Sequence, residues 1–237
     1  MPAWSPVPIQ DSMGVNRYFV AYSDTTPQDP DIYSIHLVDP DVPGSEFKLS
    51  SPVVNTREVA DLNLTWAPDA MRLAVTRGHD DSAATIYYLQ IVTLQVTSCP
   101  ASEPICEVQA RQSLVRDVNS PPELRTIDFH QPQWSKDGLD IALSLGDIWI
   151  IPVATPEDAW NLTDTSRHET QPTWSPDASQ VAYRGSGNLC NSKDRNFIGI
   201  VVRNVNGDPF PGGCEEKVLI KDAGFPNWWR NHVPLQP

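Results

Sequence analysis

The chain has 237 residues, 40% hydrophobic and 20% charged, which is a composition for a folded core and not for a disordered tail. Thirty Asp and Glu against 17 Lys and Arg leave a formal net charge of -13, which repels phosphate backbones and anionic lipid, so no nucleic acid is expected as a partner. No apolar run reaches the roughly 18 residues of a spanning helix, so no membrane insertion is expected, and Met1 to Gln10 lacks the basic and apolar regions of an export signal.

The 23 prolines fall between short apolar runs rich in β-branched and aromatic residues, which predicts strands and turns. The first unit is read from Trp4 to Pro52. Trp4-Ser-Pro6 and Tyr18-Phe-Val-Ala-Tyr22 form one strand–turn–strand element split by an insertion, followed by Asp31-Ile-Tyr33 and Lys48-Leu-Ser50. The second unit, Ala60 to Asn119, holds Trp66-Ala-Pro-Asp-Ala-Met-Arg-Leu-Ala-Val and Thr85-Ile-Tyr87, and Asn119-Ser-Pro-Pro-Glu123 leads out of it. The third, Thr126 to Thr165, repeats the pattern as Pro132-Gln-Trp134-Ser-Lys-Asp-Gly-Leu-Asp-Ile-Ala-Leu, Asp147-Ile-Trp149 and Asn161-Leu-Thr163. The fourth, Glu169 to Asp222, reads Pro172-Thr-Trp174-Ser-Pro-Asp-Ala-Ser-Gln-Val-Ala-Tyr, then Phe197-Ile-Gly199 and Val218-Leu-Ile220. The tail from Gly224 to His232, with Pro226-Asn-Trp228, is one more first strand. It either completes the opening sheet or begins a fifth unit.

The Pro-Asp-Ala and Lys-Asp-Gly segments carry turn chemistry, because Asp can bond nearby backbone and Gly supplies positive φ. Gly138 fits that role, and Ala70 and Ala178 in its place predict turns that avoid positive φ. Strand–turn–strand–loop–strand–strand describes a four-stranded antiparallel sheet. One such sheet cannot bury both faces, and stacking copies around an axis does so. The expected fold is therefore all-β, a β-propeller of about four blades forming a single domain over residues 1–237. Trp66, Trp134 and Trp174 are expected to pack between blades, where aromatic area is buried.

The Trp-Ser-Pro-Asp segment, the strand after it and Asp-Ile-Tyr/Trp resemble the TolB-type WD40-like propeller repeat. They are also similar to the propeller domains of tricorn-type and prolyl-oligopeptidase-type peptidases. The resemblance covers most of the chain and is clearest in units two to four. It implies a propeller outside the cytoplasm that works through protein–protein contacts, or one that gates a hydrolase domain. Six to eight blades are usual in that family, and four is a departure.

First strands line a propeller axis, and stepping back by twos from each Trp collects Asp61, Asn63 and Thr65, then Phe129, Gln131 and Gln133, then Glu169, Gln171 and Thr173. With His130 and His168 beside them, the candidate ligand-binding set at a channel mouth is Asp61, Asn63, His130, Gln131, His168, Glu169 and Gln171. No catalytic residue is assigned, since neither Gly-x-Ser-x-Gly nor His-Glu-x-x-His occurs. No cofactor and no metal are expected, because the four cysteines lack Cys-x-x-Cys spacing and the acidic loop at His79-Asp-Asp81 lacks EF-hand spacing. Cys99–Cys106 and Cys190–Cys214 are read as two loop-closing disulfides, which implies a periplasmic or secreted protein. The expected function is a non-enzymatic module for a protein or peptide partner. The alternatives are a hydrolase or lyase with an acidic and His site at the channel mouth, and an assembly subunit that forms a homo-oligomer through Trp228 and Trp229.

Overall fold

The computed structural model describes residues 2–11, 13–26, 29–49, 59–81, 84–96, 105–107, 112–117, 131–163, 168–186, 196–202 and 217–221. The chain divides into two compact units, Met1–Trp134 and Ser135–Pro237.

The strands in chain order are β1 (Ala3–Trp4), β2 (Ile9–Gln10), β3 (Asn16–Arg17), β4 (Val20–Thr26), β5 (Asp29–Val38) and β6 (Phe47–Lys48). They make a first antiparallel sheet ordered β1-β4-β5-β6, with β2 and β3 paired apart as a hairpin. That hairpin is the insertion expected between Trp4 and Tyr18. Next come β7 (Val59–Trp66), β8 (Arg72–Asp81), β9 (Ala84–Gln95), β10 (Cys106–Glu107) and β11 (Gln112–Asp117). The second sheet runs β7-β8-β9, with both β10 and β11 against β9. The third sheet is β12 (Gln133–Trp134), β13 (Asp140–Leu145), β14 (Asp147–Pro152) and β15 (Trp160–Asn161), and the fourth is β16 (His168–Trp174), β17 (Gln180–Ser186), β18 (Asn196–Val202) and β19 (Lys217–Lys221). The fold is all-β, and its four-stranded antiparallel sheets have the strand order of propeller blades.

The turns between first and second strands explain the recurring Ser-x-Asp. Ser135 Oγ donates to Asp137 Oδ1 at 2.6 Å and accepts the Asp140 N–H at 3.0 Å, while the Leu139 N–H reaches the same carboxylate at 3.1 Å. Ser175, Asp177 and Gln180 repeat this at 2.6 and 2.9 Å. At Asp69 the Ser is absent, and Arg72 Nε donates to the carboxylate at 2.8 Å instead. Gly138 takes φ 77°, as expected. Ala70 and Ala178, expected to avoid the left-handed region, take φ 56° and 58°. Their methyl groups sit inside the apolar clusters, and that burial offsets the strain.

Side chains alternate across a strand, so register assigns each to a face. Trp66 stands opposite Leu73, and Leu73 opposite Val92. These residues form one face of the second sheet, here called the leading face. Ala74, opposite Thr65 and Ile91, marks the other, trailing face. The four sheets repeat this grammar. Ala21 opposite Leu37, Ala74 opposite Ile91, Ala142 opposite Ile150 and Ala182 opposite Ile200 are equivalent pairs.

Each unit has its own core. In the first, Ala21, Ile35, Leu37 and Leu49 of sheet one cluster with Trp66, Leu73, Val75 and Val92 of sheet two. In the second, Ala142, Ile148, Ile150 and Leu162 cluster with Trp174, Val181 and Tyr183. A trailing face thus meets the next sheet's leading face in both. Trp66, Trp134 and Trp174 are 6%, 7% and 7% exposed, in keeping with a packing role. The Arg72 guanidinium stacks 4.9 Å from the Trp134 ring centroid.

Candidate functional site

A concavity lies in the first unit. It is a cleft of about 420 Å³ lined by Pro8, Ile9, Gln10, Asp11 and Gly14 of the hairpin, and by Asp69, Met71 and Val96 of the second sheet's loops. That volume suits a few side chains of a bound segment. Its floor is apolar (Ile9, Met71, Val96), and two carboxylates flank it.

The hairpin wall is fixed by a buried ion cluster. Asp11 begins a tight turn, with the Gly14 N–H on its carbonyl at 2.9 Å and Gly14 at φ 79°. Asp11 Oδ1 accepts the N–H groups of Met13 and Val15 at 2.8 and 2.9 Å. Arg17 bridges Asp11 and Asp39, at 2.7 Å to each, and both carboxylates are 4–5% exposed. Burial raises the Asp11 pKa, but the Val15 N–H, the Arg17 hydrogen bond and the Met13 N–H outweigh it, so the group lies below its usual value. Arg17 is held above its usual value, first by its hydrogen bond to Asp39 and then by that to Asp11. The exposed apolar side chains Met13 and Val15 stand on the same hairpin, 83% and 47% exposed.

The sequence reading missed this site. Its signal was present in Asp11-Ser-Met-Gly14, an Asp-x-x-Gly turn inside what reads as a bare insertion.

The channel-mouth set falls differently. His130 lies outside the described residues, and so do the side chain of Asp61 and the loops at Cys99, Cys190 and Cys214. Gln131 is half-buried ahead of β12, and Asn63 is half-buried on β7. In the second unit His168 is exposed and Gln171 half-buried, while Glu169 is fully buried. Glu169 is tied by its backbone: its N–H reaches the Gly146 carbonyl at 2.7 Å, and its carbonyl accepts Ser144 Oγ at 2.6 Å.

Stepping by twos does not keep these residues on one face, because both first strands carry a bulge. In β16 the register slips between Thr170 and Thr173, where Gln171 takes φ 58°. Glu169 therefore stands opposite Gly185, on the leading face with Trp174, while Thr173 stands opposite Ala182 on the trailing face. In β7 Asp61 stands opposite Arg77 and Asn63 opposite Thr76, consecutive residues on β8 and hence opposite faces.

Among the described residues no group of three His, Cys, Asp or Glu is placed to hold a metal ion. No described helix is long and apolar enough to cross a membrane. The amide of Asn161, in an Asn-Leu-Thr sequon, donates to Asp147 Oδ2 at 2.6 Å, a role in joining β14 to β15.

No family model matches the chain, and no curated protein matches it. Among solved structures it is similar to prolyl oligopeptidase B from Galerina marginata bound to a 35mer substrate, at 12% identity and a TM-score of 0.48 over 94% of this chain. It spans 31% of that chain. It is also similar to the Cps50 (Swd1) β-propeller domain of Myceliophteria thermophila, at 14% identity and a TM-score of 0.37, covering 86% of this chain and 68% of that one.

Proposed function

We propose that this chain is a non-catalytic propeller-type module that seats an extended peptide segment of a protein partner in the cleft beside the β2–β3 hairpin. One observation carries the reading. Seven large hydrophobic residues are exposed among the described residues, and five of them (Trp4, Val7, Met13, Val15 and Tyr18) fall within residues 4–18, the stretch that holds the hairpin. Exposed apolar side chains that recur along one short stretch of chain mark that stretch as a candidate contact site. The cleft floor offers Ile9, Met71 and Val96 to an apolar side chain. The edges of β2 and β3 offer backbone groups to an extended strand.

The test is selection from a displayed random-peptide library, followed by calorimetry on the chosen peptides. Met71→Glu places a charge on the apolar floor and is expected to weaken binding at least tenfold. Peptides that bind Met71→Glu and the parent equally overturn the assignment.

The reading includes a place outside the cytoplasm, with Cys99–Cys106 and Cys190–Cys214 as disulfides. The TolB-type repeat pattern supports it, as does Cys106, which carries no free thiol. Thiol titration under denaturing conditions is expected to find no reactive cysteine, and four reactive thiols overturn it.

A further inference from the structure

The cleft beside the hairpin joins an apolar floor to charge of one sign. Ile9 is buried there, and Met71 and Val96 are half-buried. Among the described residues that line it, the charged ones are Asp11 and Asp69. Floor and carboxylate meet in one turn, since the Met71 N–H donates to Asp69 Oδ1 at 2.9 Å.

These acids have cations beside them, but too few. Arg17 is shared between Asp11 and Asp39 at 2.7 Å to each, and Arg72 Nε donates to Asp69 Oδ2 at 2.8 Å. Three carboxylates therefore meet two guanidinium groups. Asp11 is 4% exposed and its oxygens are taken by Met13, Val15 and Arg17, so its charge acts across the cleft and not by contact. Asp69 differs, with 42% of its side chain exposed. A carboxylate oxygen can accept more than one hydrogen bond, so Asp69 has room for a further donor. The surroundings have the same sign. Residues 1–49 carry seven Asp and Glu against Arg17 and Lys48. Such a field repels an acidic segment and steers a basic one toward the site.

We infer, resting on the reading that this cleft seats a peptide, that it selects a segment in which an apolar residue stands within two positions of a Lys or Arg. The apolar side chain takes the floor of Ile9, Met71 and Val96, and the cation lies against Asp69. A long basic side chain suits both parts, because its methylene stem covers apolar surface while its head stays with the anion and water. Asp69 is then the residue that sets the charge preference of the site.

The experiment takes the peptides selected on the parent chain from the displayed random library and measures the tightest of them by calorimetry. A Lys or Arg within two positions of an apolar residue is expected in most of them. Changing that basic residue to Gln should weaken binding about threefold, as for an exposed ion pair, and changing it to Glu should weaken it further. The Lys-over-Gln preference should shrink as salt rises from about 0.05 M to about 0.3 M. Asp69→Asn keeps an acceptor for the Met71 N–H and should bring the preference close to one. Arg72→Gln removes the competing cation and should widen it. Selected peptides without a basic bias overturn the inference, and so does a preference that survives Asp69→Asn. In either case binding that Met71→Glu still weakens leaves the peptide site standing. Binding indifferent to Met71→Glu overturns both. Where Arg72→Gln fails to fold, the peptide series and Asp69→Asn still decide.

Discussion

Ala70 and Ala178 hold left-handed backbone that costs an L-residue about 1–2 kcal/mol. Each is also buried, at 0% and 6% exposure. Replacing Ala178 with Gly relieves the strain but removes a packed methyl and adds freedom to the unfolded chain. The change in stability should stay within about 1 kcal/mol. Gly138→Ala, at φ 77°, should cost about 1 kcal/mol. Urea unfolding of both variants tests the pair, and a large gain for Ala178→Gly would show that the methyl contributes nothing. Asp177 offers a pH test. Hydrogen bonds from Ser175 and then Ser179 lower its pKa to about 2, below the usual carboxylate value. A lowered folded pKa gives stability that is present above about pH 4 and lost as the pH falls toward 2. The urea midpoint of the parent should drop through that window, and Asp177→Asn should remove that part of the slope. The Asp turn was legible because its chemistry is local. The left-handed alanines were not, because what sustains them is a tertiary cluster.

At the scale of elements, the β2–β3 hairpin depends on Arg17, whose partners Asp11 and Asp39 are buried. Arg17→Ala leaves two buried carboxylates without their cation. Breaking a buried pair costs 3–5 kcal/mol, and Arg17 is a third exposed, so the expected loss is about 2 kcal/mol. Thermal unfolding measures it, and a loss below the error of the measurement would deny the cluster its role. The hairpin was hidden from the sequence because its two strands have two residues each, too few to show a period. The spacing used to collect the channel-mouth set meets a related point. A period-two count assumes a regular strand, and one extra residue in β7 and in β16 sends Asp61 and Glu169 to the other face.

For the whole molecule, the repeat told most of the story. The recurring Trp, the Asp turn and the Ile-Ala-type strand fixed the sheets, and each third strand fell where Asp-Ile-Tyr and its relatives stand. The pairing of faces between sheets was less legible, since it needs register and not periodicity alone. Each unit's core is a seam between two sheets, so one truncation there should be felt by both. Ile150→Ala, at 0% exposure, is expected to cost about 3 kcal/mol. Hydrogen exchange should show amides of β14 and β17 losing protection together, and loss confined to β14 would count against a shared seam.

Four alanines, Ala21, Ala74, Ala142 and Ala182, recur at one register position. Each leaves a shallow pit on its sheet beside two longer aliphatic residues, and so acts as a ruler. At Ala21 and Ala142 the adjoining sheet of the same unit packs over that pit, and its depth sets how near the neighbour can come. A Val at either position would wedge the two sheets of that unit apart.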